Sequence, residues 1–153
     1  MNKLEIGKRL TACLVAMVMV ASVNAQTKGD SRGDTLAFNG TLRNAEYEVA
    51  LRVNLYEQDV TVPGQELYGM LAGYLQRDKT SFCWLITSAT VTDSRTALLE
   101  MVNDYGSEDL TAVLTYDGDS LYTLRQQVGS TLKVPKGGKW QRLPKVLRFK
   151  LME

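Results

Sequence analysis

The sequence predicts an all-β fold, a small antiparallel barrel or a two-layer sandwich of about eight or nine strands. Two observations lead to this prediction. Apolar and polar residues alternate with a period of two along several segments, and turn-forming residues recur roughly every ten positions. The 153 residues are 44% hydrophobic and 23% charged. This balance is typical of a globular domain and argues against a disordered chain or a protein with many membrane spans.

The N-terminal 25 residues have the three parts of a secretory signal peptide. Basic residues between positions 3 and 9 provide positive charge, residues 10–23 are almost entirely apolar, and Val23-Asn24-Ala25 supplies the small residues of a cleavage site. The apolar stretch is shorter than the roughly 20 residues that a membrane-spanning helix needs. We therefore expect cleavage after Ala25 and export of the chain, to the periplasm or as a secreted protein.

The mature chain that remains after removal of the signal peptide, residues 1–25, has a predicted domain organisation and net charge. Residues 26–34 are polar and charged, which predicts a flexible leader, and residues 35–153 form a single β domain. The signal peptide carries three basic residues and one acidic residue, so the mature chain has 15 basic and 16 acidic side chains, a net charge of −1. We therefore expect no nucleic-acid partner and no transmembrane span in the mature chain.

Period-two alternation begins after the leader. Alternate apolar residues over 47–55 predict a half-buried strand. Val62-Pro63-Gly64 then predicts the turn that closes the first hairpin, because Pro presets the second position of a turn and Gly accepts the positive φ of the third. Residues 66–77 predict another strand, with a bend or bulge at Gly69 and Gly73.

The second half of the chain continues this pattern. Residues 81–88 form the next predicted strand. Asp117-Gly118 predicts a tight hairpin turn between strands over 110–116 and 120–126. The final strand follows the turn-forming segment 136–139 and alternates apolar and basic residues: Leu147, Arg148, Phe149, Lys150 and Leu151.

One segment, residues 95–105, fits either a short helix or a strand. Its apolar residues recur at helical spacing, with a capping Ser before it and a terminating Gly after it. Read as a strand, it places Ala97, Leu99 and Met101 on one side. We prefer the strand, because short strands on both sides make a continued meander the simplest connection.

Five short segments that span most of the predicted domain share a pattern: residues 38–42, 69–74, 99–100, 138–140 and 149–151. They resemble a broad group of small exported bacterial β-barrel proteins, most of them of unknown function. The chain departs from this group at Thr87-Ser88, where the group favours Gly. The resemblance implies a barrel and brings no catalytic residues. Asp34-Thr35-Leu36 and Asp119-Ser120-Leu121 also resemble the O-glycosylation signal that some gut bacteria use on exported proteins.

The residue types narrow the possible chemistry. The sequence contains no histidine, which excludes Ser-His-Asp and Cys-His nucleophile systems and histidine zinc sites. Cys83, between Phe82 and Trp84, is interpreted as a buried thiol, since nothing activates it. No metal or cofactor is predicted. Without histidine, a carboxylate pair, a Ser-Lys or Cys-based nucleophile and an oxygen-ligated metal remain open. The catalytic candidate is a carboxylate cluster, because glycan hydrolysis needs two carboxyl groups at a set separation; the alternative is a solvated turn. The members of the cluster are Glu100, Asp104, Glu108 and Asp109.

Aromatic residues support ligand binding. Tyr and Trp combine a flat apolar ring with a hydrogen-bonding group. Three residues on one face of the predicted strand over 66–77 are suited to line a barrel mouth or a groove, although aromatic side chains also favour strands for packing alone. The predicted ligand-binding residues are Tyr68, Met70, Tyr74, Trp84 and Trp140.

Charge is unevenly distributed along the chain. Residues 125–153 carry a net charge of +7, whereas residues 26–124 carry −8. We expect the basic last strands to lie beside acidic earlier strands and to be neutralised by them. The alternative is a basic face for an anionic partner such as an acidic glycan or a lipopolysaccharide phosphate. The two interpretations differ in where Glu46, Glu48 and Glu57 lie relative to Lys145, Arg148 and Lys150.

These observations lead to one functional hypothesis and two alternatives. We expect a noncatalytic, exported binding or accessory module of the cell envelope. The residue types do not identify its ligand, its envelope partner or its oligomeric state. The alternatives are a carboxylate-dependent hydrolase acting on glycans and a structural or assembly partner protein.

The first testable prediction concerns export. The mature protein is expected to begin at Gln26 and to carry no lipid, because the cleavage site follows the apolar stretch and Cys13 precedes most of it. The intact mass of the exported protein measures this directly. An acyl group on Cys13, or retention of residues 1–25, would contradict it.

Overall fold

The computed structural model describes residues 37–153 and shows a closed barrel of eight antiparallel strands with two short accessory sheets. The predicted all-β fold is confirmed, and of the two predicted architectures the structure shows the small barrel and not the two-layer sandwich. The predicted signal peptide and leader lie outside the described residues, as does Asp34-Thr35-Leu36. The strands are β1 (Asn39–Asn44), β2 (Val49–Asn54), β3 (Val60–Thr61), β4 (Met70–Leu71), β5 (Gly73–Arg77), β6 (Cys83–Asp93), β7 (Thr96–Asn103), β8 (Asp109–Gly118), β9 (Leu121–Gly129), β10 (Lys133–Lys136), β11 (Lys139–Arg142) and β12 (Val146–Leu151).

The barrel closes between the first and last strands of the domain. Around its circumference the order is β1-β12-β9-β8-β7-β6-β5-β2, and β2 pairs with β1 to complete the ring. Strand β12 lies between β1 and β9, with Leu42 opposite Leu151 and Leu147 opposite Leu124. Closure leaves no unpaired sheet edge in the ring, and an unpaired edge promotes aggregation.

Side chains fill the interior of the barrel. Inward positions alternate with outward ones along each strand, as the sequence periodicity requires, and an eight-stranded barrel is just wide enough for its side chains to fill. The largest side chains that are fully buried include Phe38, Leu42, Leu51, Leu75, Trp84, Met101, Leu114, Leu124 and Phe149.

The hairpin of β10 and β11 covers one end of the barrel. Leu132, Val134 and Leu143 are buried in the main core. Gln126, on β9, holds both arms of this segment: its Nε2 donates to the carbonyl of Pro144 at 2.7 Å, and its Oε1 accepts from the backbone N–H of Leu132 at 2.8 Å. The hairpin is therefore part of the domain core. We call this end the capped end.

The connection from β2 to β5 is a long excursion over residues 55–72 and not the predicted hairpin. Strands β3 and β4 pair within it, and residues 66–68 form one turn of 3-10 helix, so the predicted continuous strand over 66–77 is wrong. The excursion packs outside the barrel, where Val62 joins Cys83 and Leu85 in a second small core. Strand β5 begins at Gly73, where a Cβ would lie 2.1 Å from the carbonyl oxygen of Arg52.

Two further predictions concerned local structure. Residues 96–103 form strand β7, so the preferred strand is confirmed and the helix alternative is wrong.

The predicted hairpin of β8 and β9 is confirmed, but its turn is Asp119-Ser120 and not Asp117-Gly118. Both turn residues have positive φ, 51° and 63°, which matches the twist of a two-residue hairpin. Gly118 instead pairs with Leu121 beside an irregularity in the register.

The structure makes β12 essential for stability. Deletion of residues 146–153 is expected to abolish cooperative unfolding, because Leu147 and Phe149 are each 2% exposed and burial of such a side chain contributes about 1.5–3 kcal/mol. That loss is a large share of the roughly 5–15 kcal/mol that stabilises a small domain. A thermal melt measures the effect. Deletion of residues 152 and 153 alone is the control, and a sharp transition of the longer deletion within a few degrees of the control would contradict the prediction.

Candidate functional site

The structure separates the five predicted ligand-binding residues. Trp84 is fully buried in the barrel, where its indole N–H donates to the carbonyl of Lys133 at 2.9 Å. Tyr74 packs against the small core outside the barrel. Tyr68 and Met70 lie on the excursion, 44% and 69% exposed, and Trp140 lies on β11 at the capped end, 48% exposed. The five residues therefore do not line one pocket, and Trp84 has no surface to offer a ligand.

Trp140 is part of an open cleft at the capped end. Its ring meets that of Phe82 edge-on, with centroids 4.8 Å apart and ring planes at 72°. The Tyr105 ring lies 5.6 Å from the Phe82 ring and is 72% exposed. The cleft has a volume of about 450 Å³, and we call it the aromatic cleft. The residues that line it are Lys79, Thr80, Ser81, Phe82, Tyr105, Pro135, Gly138, Lys139 and Trp140.

Carboxylates near the aromatic cleft are already occupied. Asp78 forms a salt bridge with Arg43, which holds the pKa of that carboxyl below its usual range. Glu108 pairs with Lys133 at 2.9 Å, and Asp104 accepts a hydrogen bond from the Gln65 amide. Within residues 37–153, neither lysine of the cleft takes part in a salt bridge. The cleft therefore combines aromatic rings with two lysines that form no salt bridge within the described residues.

The structure divides the acidic cluster of the sequence into two pairs. Asp104 and Glu108 hold neighbouring loops through the contacts just described, and Glu108 also accepts from Asn103 at 3.2 Å. Glu100 and Asp109 are exposed and lie diagonally on β7 and β8, where both line a groove of about 540 Å³ on the outer face of the sheet. Among the described residues, no group of three acidic or cysteine side chains is arranged to hold a metal ion.

Cys83 is a buried thiol, as the sequence predicts. Its side chain is 1% exposed and packs with Val62 and Leu85. Burial, and secondarily the charge of Asp104, raises the pKa of Cys83 to about 11. The thiolate, which is the reactive form, is therefore scarce at neutral pH.

A second surface feature covers the side of the barrel. The adjacent strands β2, β1, β12 and β9 contain no Asp or Glu. Their alternation places five basic side chains on the outer face, while Leu51, Leu42, Phe149 and Leu124 point inward. We call this surface the basic wall, and its residues are Arg43, Arg52, Arg125, Arg148 and Lys150.

The register of the strands brings like charges together on the basic wall. Arg43 on β1 lies directly opposite Lys150 on β12. On the other side of β12, Arg125 of β9 lies opposite Val146, so Arg125 is the diagonal neighbour of Arg148. Directly opposed like charges destabilise a sheet, so strand packing does not account for this arrangement. Asp78 offsets part of the charge through its salt bridge with Arg43.

The expected neutralisation of the C-terminal strand by acidic neighbours is wrong. Glu48 pairs with Arg77, and Glu46 and Glu57 lie in connections outside the neighbouring strands. Among residues 37–153, no salt bridge involves Lys145, Arg148 or Lys150. Lys145 lies just before β12, with its Nζ 3.5 Å from the Thr131 hydroxyl.

Sequence reasoning missed several residues of both surfaces. Arg43, Arg52 and Arg125 belong to the basic wall because of barrel closure, which places β1 beside β12. The absence of acidic residues from four strand segments is the signal that was available. Tyr105 lies between Asp104 and Gly106 in a turn-forming stretch, and an aromatic residue in such a stretch indicates an exposed ring.

Comparison with known proteins adds no relative. No protein-family model, curated protein or solved structure matches this chain. Within residues 37–153, no helix has the length and apolar character needed to cross a membrane.

The environment of Cys83 generates a stability prediction. Cys83→Ser is expected to lower the free energy of unfolding by about 1–3 kcal/mol, because a buried hydroxyl without a partner carries a desolvation cost. Denaturant unfolding measures the change, with Cys83→Ala as the matched control that removes the sulfur without adding a polar group. Native Cys83 is also expected to resist a thiol reagent at pH 8. Rapid labelling of the folded protein would show that the thiol is accessible.

Proposed function

We propose that this chain is a noncatalytic binding module of the cell envelope that docks on an anionic envelope polymer through the basic wall. The observation that supports the proposal is the run of four neighbouring strands that carry basic and no acidic residues. The partner chemistry is a repeated phosphate or carboxylate group, as in lipopolysaccharide or an acidic glycan. Location in the envelope rests on the predicted signal peptide.

The placement of charge on the barrel supports binding to an extended surface. Strands β7 and β8, on the other side of the ring, carry Glu100, Asp109 and Asp117. The barrel therefore has a basic side and an acidic side, although the mature chain is close to neutral. A field of this kind orients the molecule as it approaches an anionic surface and raises the association rate.

The shape of the basic wall favours a polymer over a small ligand. Its side chains project from the convex outer face of a closed sheet, and Arg125, Arg148 and Lys150 are exposed. Exposed guanidinium and ammonium groups bind phosphate and carboxylate without a preformed pocket. Such contacts are individually weak and screened by salt, so several must act together on a ligand that repeats its charges.

Charge reversal tests the basic wall. The double variant Arg148→Glu/Lys150→Glu is expected to weaken binding of the mature protein to lipopolysaccharide micelles or to polyglutamate, a carboxylate polymer without sugar rings, at least tenfold. Each basic residue near an anionic surface contributes about 1 kcal/mol, and about 1.4 kcal/mol corresponds to a factor of ten. Titration calorimetry at low ionic strength measures the affinity. The two probes distinguish a phosphate source from a carboxylate source.

A matched variant separates the basic wall from net charge. Arg95→Glu/Lys136→Glu changes the net charge by the same amount at two exposed positions outside the basic wall and is expected to bind nearly as well as the wild type. Binding is also expected to weaken between about 0.01 and 0.15 M salt, since the Debye length falls from about 30 to 8 Å. Equal losses in both double variants, or no binding of either probe by the wild type, would overturn the proposal.

A further inference from the structure

We propose that the aromatic cleft is a separate binding site for a short acidic saccharide. The cleft lies at the capped end, shares no residue with the basic wall, and has a volume of about 450 Å³. Small-molecule sites typically measure about 300–1,000 Å³. The inference is independent of the proposed function, because it depends on other side chains and on a different kind of ligand contact.

The aromatic rings offer surfaces for the apolar faces of sugar rings. Trp140 and Tyr105 both pack against Phe82, which is 5% exposed. Their rings are 48% and 72% exposed, so both present ring surface to solvent. The T-shaped contact with Phe82 and the cation–π contact with Lys133 hold the Trp140 ring before a ligand arrives, and a preset side chain loses less conformational entropy on binding.

Charge in the cleft favours an acidic ligand. Lys79 and Lys139 line it from two different chain segments, and a third cation, Lys133, lies 5.4 Å from the centroid of the Trp140 ring. Lys133 is neutralised by Glu108, but the two lining lysines are not paired with any carboxylate of residues 37–153. A ligand carboxylate or phosphate between them gains charge-assisted hydrogen bonds.

Hydroxyl groups complete the chemistry of the cleft. Thr80, Ser81 and Tyr105 are lining residues that each carry one hydroxyl, and a hydroxyl can both donate and accept. Thr80 donates to the carbonyl of Arg77 at 2.9 Å and so presents an acceptor to a ligand. A polyhydroxylated ligand needs several such adaptable groups. A nucleobase needs a few directed donors and acceptors on its edge instead, so a saccharide fits the lining better than a nucleotide does.

A trisaccharide of galacturonic acid is the probe that we choose, with neutral maltotriose as its control. The mature wild-type protein is expected to bind the acidic trisaccharide with a Kd below about 1 mM and at least tenfold more tightly than maltotriose. Chemical-shift changes in the indole N–H signals locate the site. The signal of Trp140 should move, while that of the buried Trp84 should stay nearly constant.

Variants of the lysines test the site without disturbing the core. Lys79→Gln/Lys139→Gln is expected to weaken trisaccharide binding at least tenfold, whereas Lys136→Gln, in the same hairpin but outside the lining, should leave it within about twofold. Tyr105→Ala, at an exposed position, is expected to weaken it as well. A thermal melt confirms that each variant is folded.

The outcomes distinguish this site from the basic wall. Arg148→Glu/Lys150→Glu should retain trisaccharide binding, and the double lysine variant of the cleft should retain binding to lipopolysaccharide micelles. Unchanged trisaccharide affinity in that lysine variant, a Trp140 signal that does not move, or tighter binding of adenosine monophosphate than of the trisaccharide would overturn the inference.

Discussion

Pairing of β12 with both β1 and β9 is the constraint on which the rest of the structure depends. It joins the beginning of the domain to its end, with Leu42 opposite Leu151, and turns an open meander into a ring. Once the ring is closed, every strand of the ring has two neighbours, so an inward side chain has only the interior to occupy. The burial of Leu51, Leu75 and Leu124 follows from that geometry.

Closure also decides the surface electrostatics. The charge asymmetry runs along the chain, from an acidic first part to a basic last part. In a ring, the last strand returns to the first, and the first strands happen to carry Arg43 and Arg52 with no acidic residue. Basic residues from distant parts of the sequence thus become neighbours. The acidic residues of the middle strands are left on the other side of the barrel.

The sequence was informative where one local pattern decides the structure. Strand β12 and the turn at 136–139 follow directly from alternation and turn residues. The sequence pattern did not predict the path of the chain at two turn signals. Pro63-Gly64 does form a bend, but this bend lies inside the excursion over 55–72 and does not close a hairpin. Gly118 lies at an irregular register position and is not part of the hairpin turn. Residue type alone did not show that Trp84 is buried and Trp140 exposed. The register of β6 and the position of the hairpin decide which indole is buried. The aromatic cleft is built from three distant connections, so no sequence window contains it.

The position of the hairpin relative to the basic wall has a geometric consequence. The basic wall runs along the side of the barrel, whereas the aromatic cleft opens beside the hairpin at one end. A barrel that rests on a charged layer by its side lies with its long axis parallel to that layer. Its end then faces along the layer and not away from it. If both proposed sites operate, the end of a polymer strand that lies flat in the layer would approach the barrel from the side on which the cleft lies.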